Sequence, residues 1–243
     1  MLINSNYQIN KLDIPNDGCS VIPKVGMIIL DTDLTCERDF ARLKVERNSN
    51  FDLYYNRVAF KNPMTVESLR EILTKLPVAA DAILPGIELD ALIFNCTSSS
   101  ALLGDETVIN AIPSKAAHTF TTASAVVAEM KKADAKNISM LCPYPESVSI
   151  GLADYFCSCG LNVTSLTYLD IQDDRDVANI SAEQIISSAL KALEPSSDSL
   201  FISCTALRSA ELVNTLVTKT KKKIFTSNYS TFRHLESVIG QNR

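Results

Sequence analysis

One stretch of this 243-residue chain, Asp90-Ala91-Leu92-Ile93-Phe94-Asn95-Cys96-Thr97-Ser98, returns in altered form as Asp198-Ser199-Leu200-Phe201-Ile202-Ser203-Cys204-Thr205-Ala206. Each copy has an acidic start, an apolar run as long as a buried strand, and a cysteine followed by threonine where the run meets polar residues. A thiol is thereby expected at the carboxyl end of a strand, twice. Ligands of open α/β sheets bind outside the carboxyl ends of strands, so a duplicated fold can turn two thiols toward one cleft.

The repeat extends further. Phe120-Thr121-Thr122 before a helical segment is answered by Phe225-Thr226-Ser227 before another, and the apolar strand 25–30 is answered less closely by the one ending at Cys142-Pro143-Tyr144. Corresponding elements in the same order indicate an internal duplication. Between them strands and helices alternate, which is the pattern of an α/β protein with parallel sheets. Capping-box chemistry at Thr65-Val66-Glu67-Ser68 and Ser181-Ala182-Glu183-Gln184 marks two helix starts. Thr97 to Ser100 reads as a polar turn, and a helix is expected from Arg208 to about Val217. The organisation expected is an N-terminal arm over 1–20, a first α/β lobe over 21–121 plus 222–243, and a second α/β lobe over 122–221. The cleft lies between the lobes.

Composition removes several function classes. A net charge of −5 and no basic stretch beyond Lys219-Thr220-Lys221-Lys222-Lys223 argue against a nucleic-acid partner. No apolar run approaches the roughly 18 residues of a membrane span, and the N-terminus lacks the apolar centre of a signal peptide, so a cytoplasmic protein with no membrane partner is expected. Seven cysteines without regular spacing fit reduced thiols better than a disulfide framework. Cys157-Ser158-Cys159 stands without a second pair and there are two histidines, His118 and His234, so no metal is expected. A homodimer is expected on general grounds.

Free cysteine is often simply packed in a core, and that reading suits Cys19, Cys36, Cys142, Cys157 and Cys159. Cys96 and Cys204 differ because both occupy repeat-related strand ends with polar followers. A thiol titrates near enough to neutrality to act as base or acid. Two of them on opposite faces of a carbon form a two-base racemase, and addition of one thiolate to an activated double bond forms a cis-trans isomerase; neither needs a cofactor. Cysteine placement alone leaves both open, along with a clamp that binds a small carboxylate without turning it over. Amides at helix starts after both cysteines are expected to bind anions and to lower the thiol pKa.

The segments Phe94-Asn95-Cys96-Thr97-Ser98-Ser99-Ser100 and Ser203-Cys204-Thr205-Ala206-Leu207-Arg208 resemble the paired cysteine motifs of the aspartate/glutamate racemase superfamily. The closer likeness is to its maleate cis-trans isomerase branch and ectoine-utilisation protein A. The resemblance implies two pseudo-symmetric, Rossmann-like, three-layer lobes and cofactor-independent isomerase chemistry at a small carboxylate or amino-acid derivative. It also implies that Cys96 and Cys204 are the catalytic pair in a pocket lined by Thr97, Ser98, Thr121, Tyr144 and Thr205. Arylmalonate decarboxylases of the superfamily keep only the second cysteine, so Cys96 speaks against decarboxylation. Maleate isomerases resemble this chain in the first loop but carry asparagine where Asp33 and Asp174 stand. Two carboxylates repel a dicarboxylate, so both residues are expected to bind a substrate with a positive or neutral group, with helix capping as the alternative for Asp33. Arg208 is placed to bind a carboxylate or to form a surface ion pair.

Overall fold

Strands buried on both faces read as near-continuous apolar runs, and 25–30, 89–94 and 199–202 are of that kind. In the computed structural model, which describes residues 8, 10–14, 22–113 and 115–240, they become central strands of two sheets. Of the expected arm, only residues 8 and 10–14 are described, and the rest lies outside the described residues. The first sheet contains β1 (Lys24–Leu30), β2 (Asp52–Val58), β3 (Leu89–Phe94) and β4 (Ala116–Thr121), in the order β2-β1-β3-β4. The second contains β5 (Asn137–Cys142), β6 (Asn162–Tyr168), β7 (Ser199–Ile202) and β8 (Lys223–Thr226), in the order β6-β5-β7-β8. Every pairing is parallel, with Met27 level with Ile93 in one sheet and Met140 level with Phe201 in the other. Two sheets of one topology bear out the expected pair of α/β lobes.

The repeated acidic residues have equivalent tasks. Asp90 Oδ2 accepts from the Lys24 amide at 2.7 Å, and Asp198 Oδ2 accepts from the Asn137 amide at 2.9 Å. Each carboxylate thereby ties the start of its strand to the central strand beside it.

Helices fill the crossovers. In the first lobe these are α1 (Cys36–Glu46), α2 (Val66–Arg70), α3 (Leu76–Asp81), α4 (Thr97–Leu103) and α5 (Asp105–Ala111), and α6 (Thr122–Lys132) follows β4. In the second they are α7 (Glu146–Ser158), the short α8 (Asp174–Val177), α9 (Ala182–Ala192) and α10 (Val213–Thr220), with α11 (Ser227–Gly240) last. Both expected capping boxes form, Thr65 with Ser68 and Ser181 with Gln184. Two local expectations fail. Thr97 to Ser100 is the first turn of α4, because Ser99 and Ser100 turn their hydroxyls onto the carbonyls of Leu69 and Cys96 and so coexist with helix. The helix expected from Arg208 is a 3-10 turn over Ala210–Leu212 followed by α10, because the residues after Cys204 are held by side chains of the other lobe.

The crossing back to the first lobe also falls later than residue 222. Strand β8 is the edge of the second sheet, beside β7, and only α11 returns, packing on α1, β3 and α6. Its Phe232 enters the layer formed by Val25, Met27 and Ile29, alternate residues of β1 that share one face. Ring centroids of Phe40 and Phe51 lie 5.4 and 5.5 Å from that of Phe232. The opposite face of β1, with Ile28 and Leu30, belongs to a core that continues into the second lobe through Ile138, Met140 and Leu200. Helices α4 and α7 meet closely between the lobes, where a Cβ on Gly151 would stand 2.4 Å from Leu102 Cδ2. No described helix is long and apolar enough to cross a membrane.

Removing the Phe232 ring leaves a cavity under α11. Phe232→Ala is expected to lower the unfolding free energy by about 3–5 kcal/mol, read as a shift in the urea midpoint.

Candidate active site

In a sheet ordered 2-1-3-4, the crossovers leave the central pair in opposite directions, opening a crevice at the carboxyl ends of the first and third strands. Cys96 lies two residues beyond β3 and Cys204 two beyond β7, so each lobe contributes a thiol from its own crevice. Both line one tight interlobe cavity of about 10 Å³, little more than the room of one water molecule. Thr97, Ser98, Tyr144, Asp174 and Thr205 supply its remaining polar wall, and Leu30, Phe60, Met64 and Leu69 its apolar wall. All of these side chains are buried, so the wall must part before anything larger than a water molecule can enter.

The two thiols differ in surroundings. Cys96 Sγ lies 3.8 Å from Ser98 Oγ, and burial pushes its pKa up to about 12 despite the Ser99 amide and the Ser98 hydroxyl, which favour the thiolate. Cys204 Sγ points at Asp174 Oδ1, 3.9 Å away. Its pKa is driven well above the usual value by burial first, then by the neighbouring Asp174 and Asp33 carboxyls, against one favourable contact from the Ala206 amide. One backbone amide does favour the thiolate at each residue, as expected, but loss of water outweighs it and the net shift of both thiols is upward.

Asp174 is the one ionisable carboxyl on the cavity wall among the described residues. Its Oδ2 accepts from Thr32 Oγ1 at 2.7 Å, and its amide donates to Asn62 Oδ1 at 3.2 Å. Burial raises its pKa to about 7 against the Thr32 hydrogen bond, with Asp33 adding to the rise. Asp33 is 1% exposed. Its Oδ1 accepts from the Thr35 and Cys36 amides, both at 2.8 Å, so it does cap α1. The other oxygen, Oδ2, is buried without a hydrogen bond of ordinary geometry, although Thr205 approaches closely enough to favour the charged form. Burial raises the Asp33 pKa as well, and its charge is felt at Asp174, Cys96 and Cys204.

Seven of the ten residues picked from the sequence meet at the cavity: Cys96, Thr97, Ser98, Tyr144, Asp174, Cys204 and Thr205. Asp33 stands behind that wall. Thr121 does not reach it, since its hydroxyl caps α6 and donates to Asp105. Arg208 is half-buried and is not part of the lining, with its Nε unpartnered. Phe60, Met64, Thr32 and Asn62 were not legible as site residues. They lie on connections whose role depends on the other lobe: Met64 N donates to Gln172 O at 2.8 Å, and Asn62 Nδ2 to Asp173 Oδ1 at 2.8 Å.

The fold and a thiol-bearing interlobe cavity define a two-lobed α/β protein with one all-parallel four-stranded sheet in each lobe. The arylmalonate decarboxylase family matches residues 103–243, more than half of the chain, and the chain belongs to that family. No curated protein sequence significantly matches it. Among solved structures, a cysteine-to-alanine variant of maleate isomerase from Pseudomonas putida with maleate is 18% identical, with a TM-score of 0.81 over 90% of this chain and 92% of that one. A cysteine-to-serine mutant of Nocardia farcinica maleate cis-trans isomerase, with a covalently bound succinylcysteine intermediate, is 17% identical, with a TM-score of 0.81 over 90% of this chain and 93% of that one. A liganded double mutant of arylmalonate decarboxylase is 16% identical, with a TM-score of 0.79 over 91% and 94%. These structural likenesses bear out the expected fold, and the family match bears out the expected superfamily.

Because its pKa is raised on folding, Asp174 holds its proton in the folded state at pH values where the unfolded chain has released it. Wild-type stability therefore declines as pH rises from about 4 to about 7, by up to about 1.4 kcal/mol per unit, and this contribution levels off above that. Asp174→Asn removes this slope. The stability difference between variant and wild type, from urea titrations at each pH, is expected to grow in the variant's favour across that window.

Proposed function

We propose that the protein is a cofactor-independent isomerase acting on a small amino-acid-like carboxylate, with Cys96 and Cys204 as the groups that move protons. The observation that supports this most directly is that two thiols, one from each lobe, share a cavity lined, among the described residues, by one carboxyl and no lysine, arginine or histidine. A buried thiolate formed there needs a positive charge beside it. The lining supplies none, so the substrate must bring it, and an ammonium group does so while pairing with Asp174. A dicarboxylate would add two negative charges to the same space.

One thiolate takes the proton from the α-carbon, forming an S–H bond and leaving the electron pair delocalised into the substrate carboxylate. The opposite thiol then gives its proton to the other face. Protonation states exchange, and the reverse reaction starts from the exchanged state. Hydroxyls of Thr97, Ser98 and Thr205 line the same space and suit a carboxylate, whose added charge in the intermediate they would stabilise. Cys204, against a carboxyl, favours the protonated form. Cys96, beside a hydroxyl and an amide, is the more easily ionised of the two.

Decarboxylation of a malonate-type acid is the second reading, favoured by the family match to residues 103–243. One assay separates the possibilities. The protein is incubated in deuterated water with a panel of amino acids, acylated amino acids, maleate and malonates. Deuterium at the α-carbon of an amino acid with retention of mass otherwise is the expected result, and Cys96→Ser or Cys204→Ser should lower the rate by at least about 100-fold. Turnover of maleate with a mass adduct on one cysteine would show cis-trans isomerisation by addition, and release of carbon dioxide would show decarboxylation. Ligand affinity retained in both serine variants, with no exchange in wild type, would show a binding protein.

A further inference from the structure

Cys204 has φ +90°, a backbone conformation that residues with a side chain rarely adopt and that costs on the order of 1–3 kcal/mol unless its surroundings hold it. Its counterpart Cys96 has φ −144° and leads directly into α4. The second lobe does not hold the Cys204 turn alone. Asn228 Nδ2, on α11, donates to Thr205 O at 2.8 Å, and Thr35 Oγ1, before α1, donates to Ala206 O at 2.6 Å. Both donors belong to elements packed in the first lobe, and both are buried.

Asn228 is itself fixed. Its Nδ2 also donates to Asp39 Oδ2 at 3.0 Å, and its Oδ1 accepts from Asn95 Nδ2 at 3.2 Å. Asn95 Oδ1 in turn accepts from Thr122 Oγ1 at 2.6 Å. Asn95 is the residue before Cys96, and Thr205 is the residue after Cys204. One amide thus touches, on one side, the segment that carries the first thiol and, on the other, the turn that carries the second.

We propose that Asn228, assisted by Thr35, is a positioning residue: it holds the strained Cys204 turn in register with Cys96 across the lobe boundary. Its relevance to catalysis rests on the reading of the two cysteines as a working pair, while the positioning itself is testable without a substrate. Buried amides of this kind also serve as plain glue between packed elements, and the experiment has to separate the two. The exchange Asn228→Asp with Asp39→Asn does so, because it keeps a donor and an acceptor for the α11–α1 link and for Asn95 but leaves Thr205 O without its donor. Thr35→Val removes the other anchor in a side chain of similar shape.

The full-length protein is treated with methyl methanethiosulfonate, and the modification rate at each cysteine is followed by peptide mass spectrometry. Hydrogen exchange of the same samples reports the backbone. In both variants the rate at Cys204 is expected to rise at least 10-fold over wild type, with faster exchange confined to the peptide spanning 203–209, while the rate at Cys96 stays within 2-fold. Parallel increases at both cysteines would mean that the lobes have simply separated, and unchanged rates at both would mean that the turn holds itself; either overturns the proposal. Should the double exchange fail to fold, Thr35→Val alone decides by the same criteria. Neither failure bears on the deuterium-incorporation test of the cysteine pair.

Discussion

A carboxyl group shut away from water with no cation beside it keeps its proton, and the candidate site depends on that constraint. Asp174 is 4% exposed, faces a thiol, and has another buried carboxyl, Asp33, behind it. Two negative charges separated by the 3.9 Å between Cys204 Sγ and Asp174 Oδ1 repel by about 4 kcal/mol at the effective dielectric of a protein site. The pair therefore carries at most one negative charge near neutral pH, and in the proposed reaction Cys204 would be the proton donor while Asp174 is ionised. The same constraint reaches the ligand. Closing the lobes over an ammonium group relieves both carboxyls, whereas closing them over a dianion requires at least one more proton to be bound.

The two lobes share a topology, and the equivalent strand ties made by Asp90 and Asp198 keep the central strands of each sheet in the same relation. Their thiols are nonetheless held by different means. Cys96 is fixed by local helix geometry, with Ser100 bonding back to its carbonyl, whereas the turn after Cys204 borrows its donors from the opposite lobe. Two-base chemistry requires thiols on opposite faces of a carbon and places no demand on the symmetry of the backbone beneath them. Burial keeps the proton on both thiols of the empty cavity, and in the proposed reaction Cys96 would be the first of this unequal pair to give its proton up.

The parts that sequence disclosed are those governed by short-range pattern. Apolar runs of strand length announced the central strands, capping boxes at Thr65 and Ser181 announced helix starts, and the Cys-Thr repeat announced the two thiols. Of the two expectations for Asp33, the tie to the start of α1 formed, while its unpartnered second oxygen was not foreseen. What stayed hidden depends on the meeting of distant segments. Nothing in Thr121 itself distinguishes a pocket hydroxyl from an N-cap bonded to Asp105, since both follow a strand and precede a helix. Phe60 and Met64 look like ordinary apolar residues of a connection, and only the docking of residue 172 against Met64 makes them a cavity wall. The irregular turn after Cys204 was missed because its partners, Thr35 and Asn228, lie far away in sequence.

Closure and protonation at this site share the same bonds. The connection bearing Asn62 and Met64 is tied to residues 172–174 by three hydrogen bonds, and the last of them ends on the amide of Asp174. A ligand can enter a cavity whose every lining residue is buried only if some such contact breaks. Parting these two connections brings water to Asp174, returns its pKa toward that of an ordinary carboxyl, and so releases its proton near neutral pH. An ionised Asp174 at an open mouth attracts an ammonium group, and closure over that group replaces the lost water with a countercharge. Closing on an empty site or on a dianion has no such compensation and must draw a proton back from solvent, so the charge requirement that shapes the cavity also favours which ligand it shuts on.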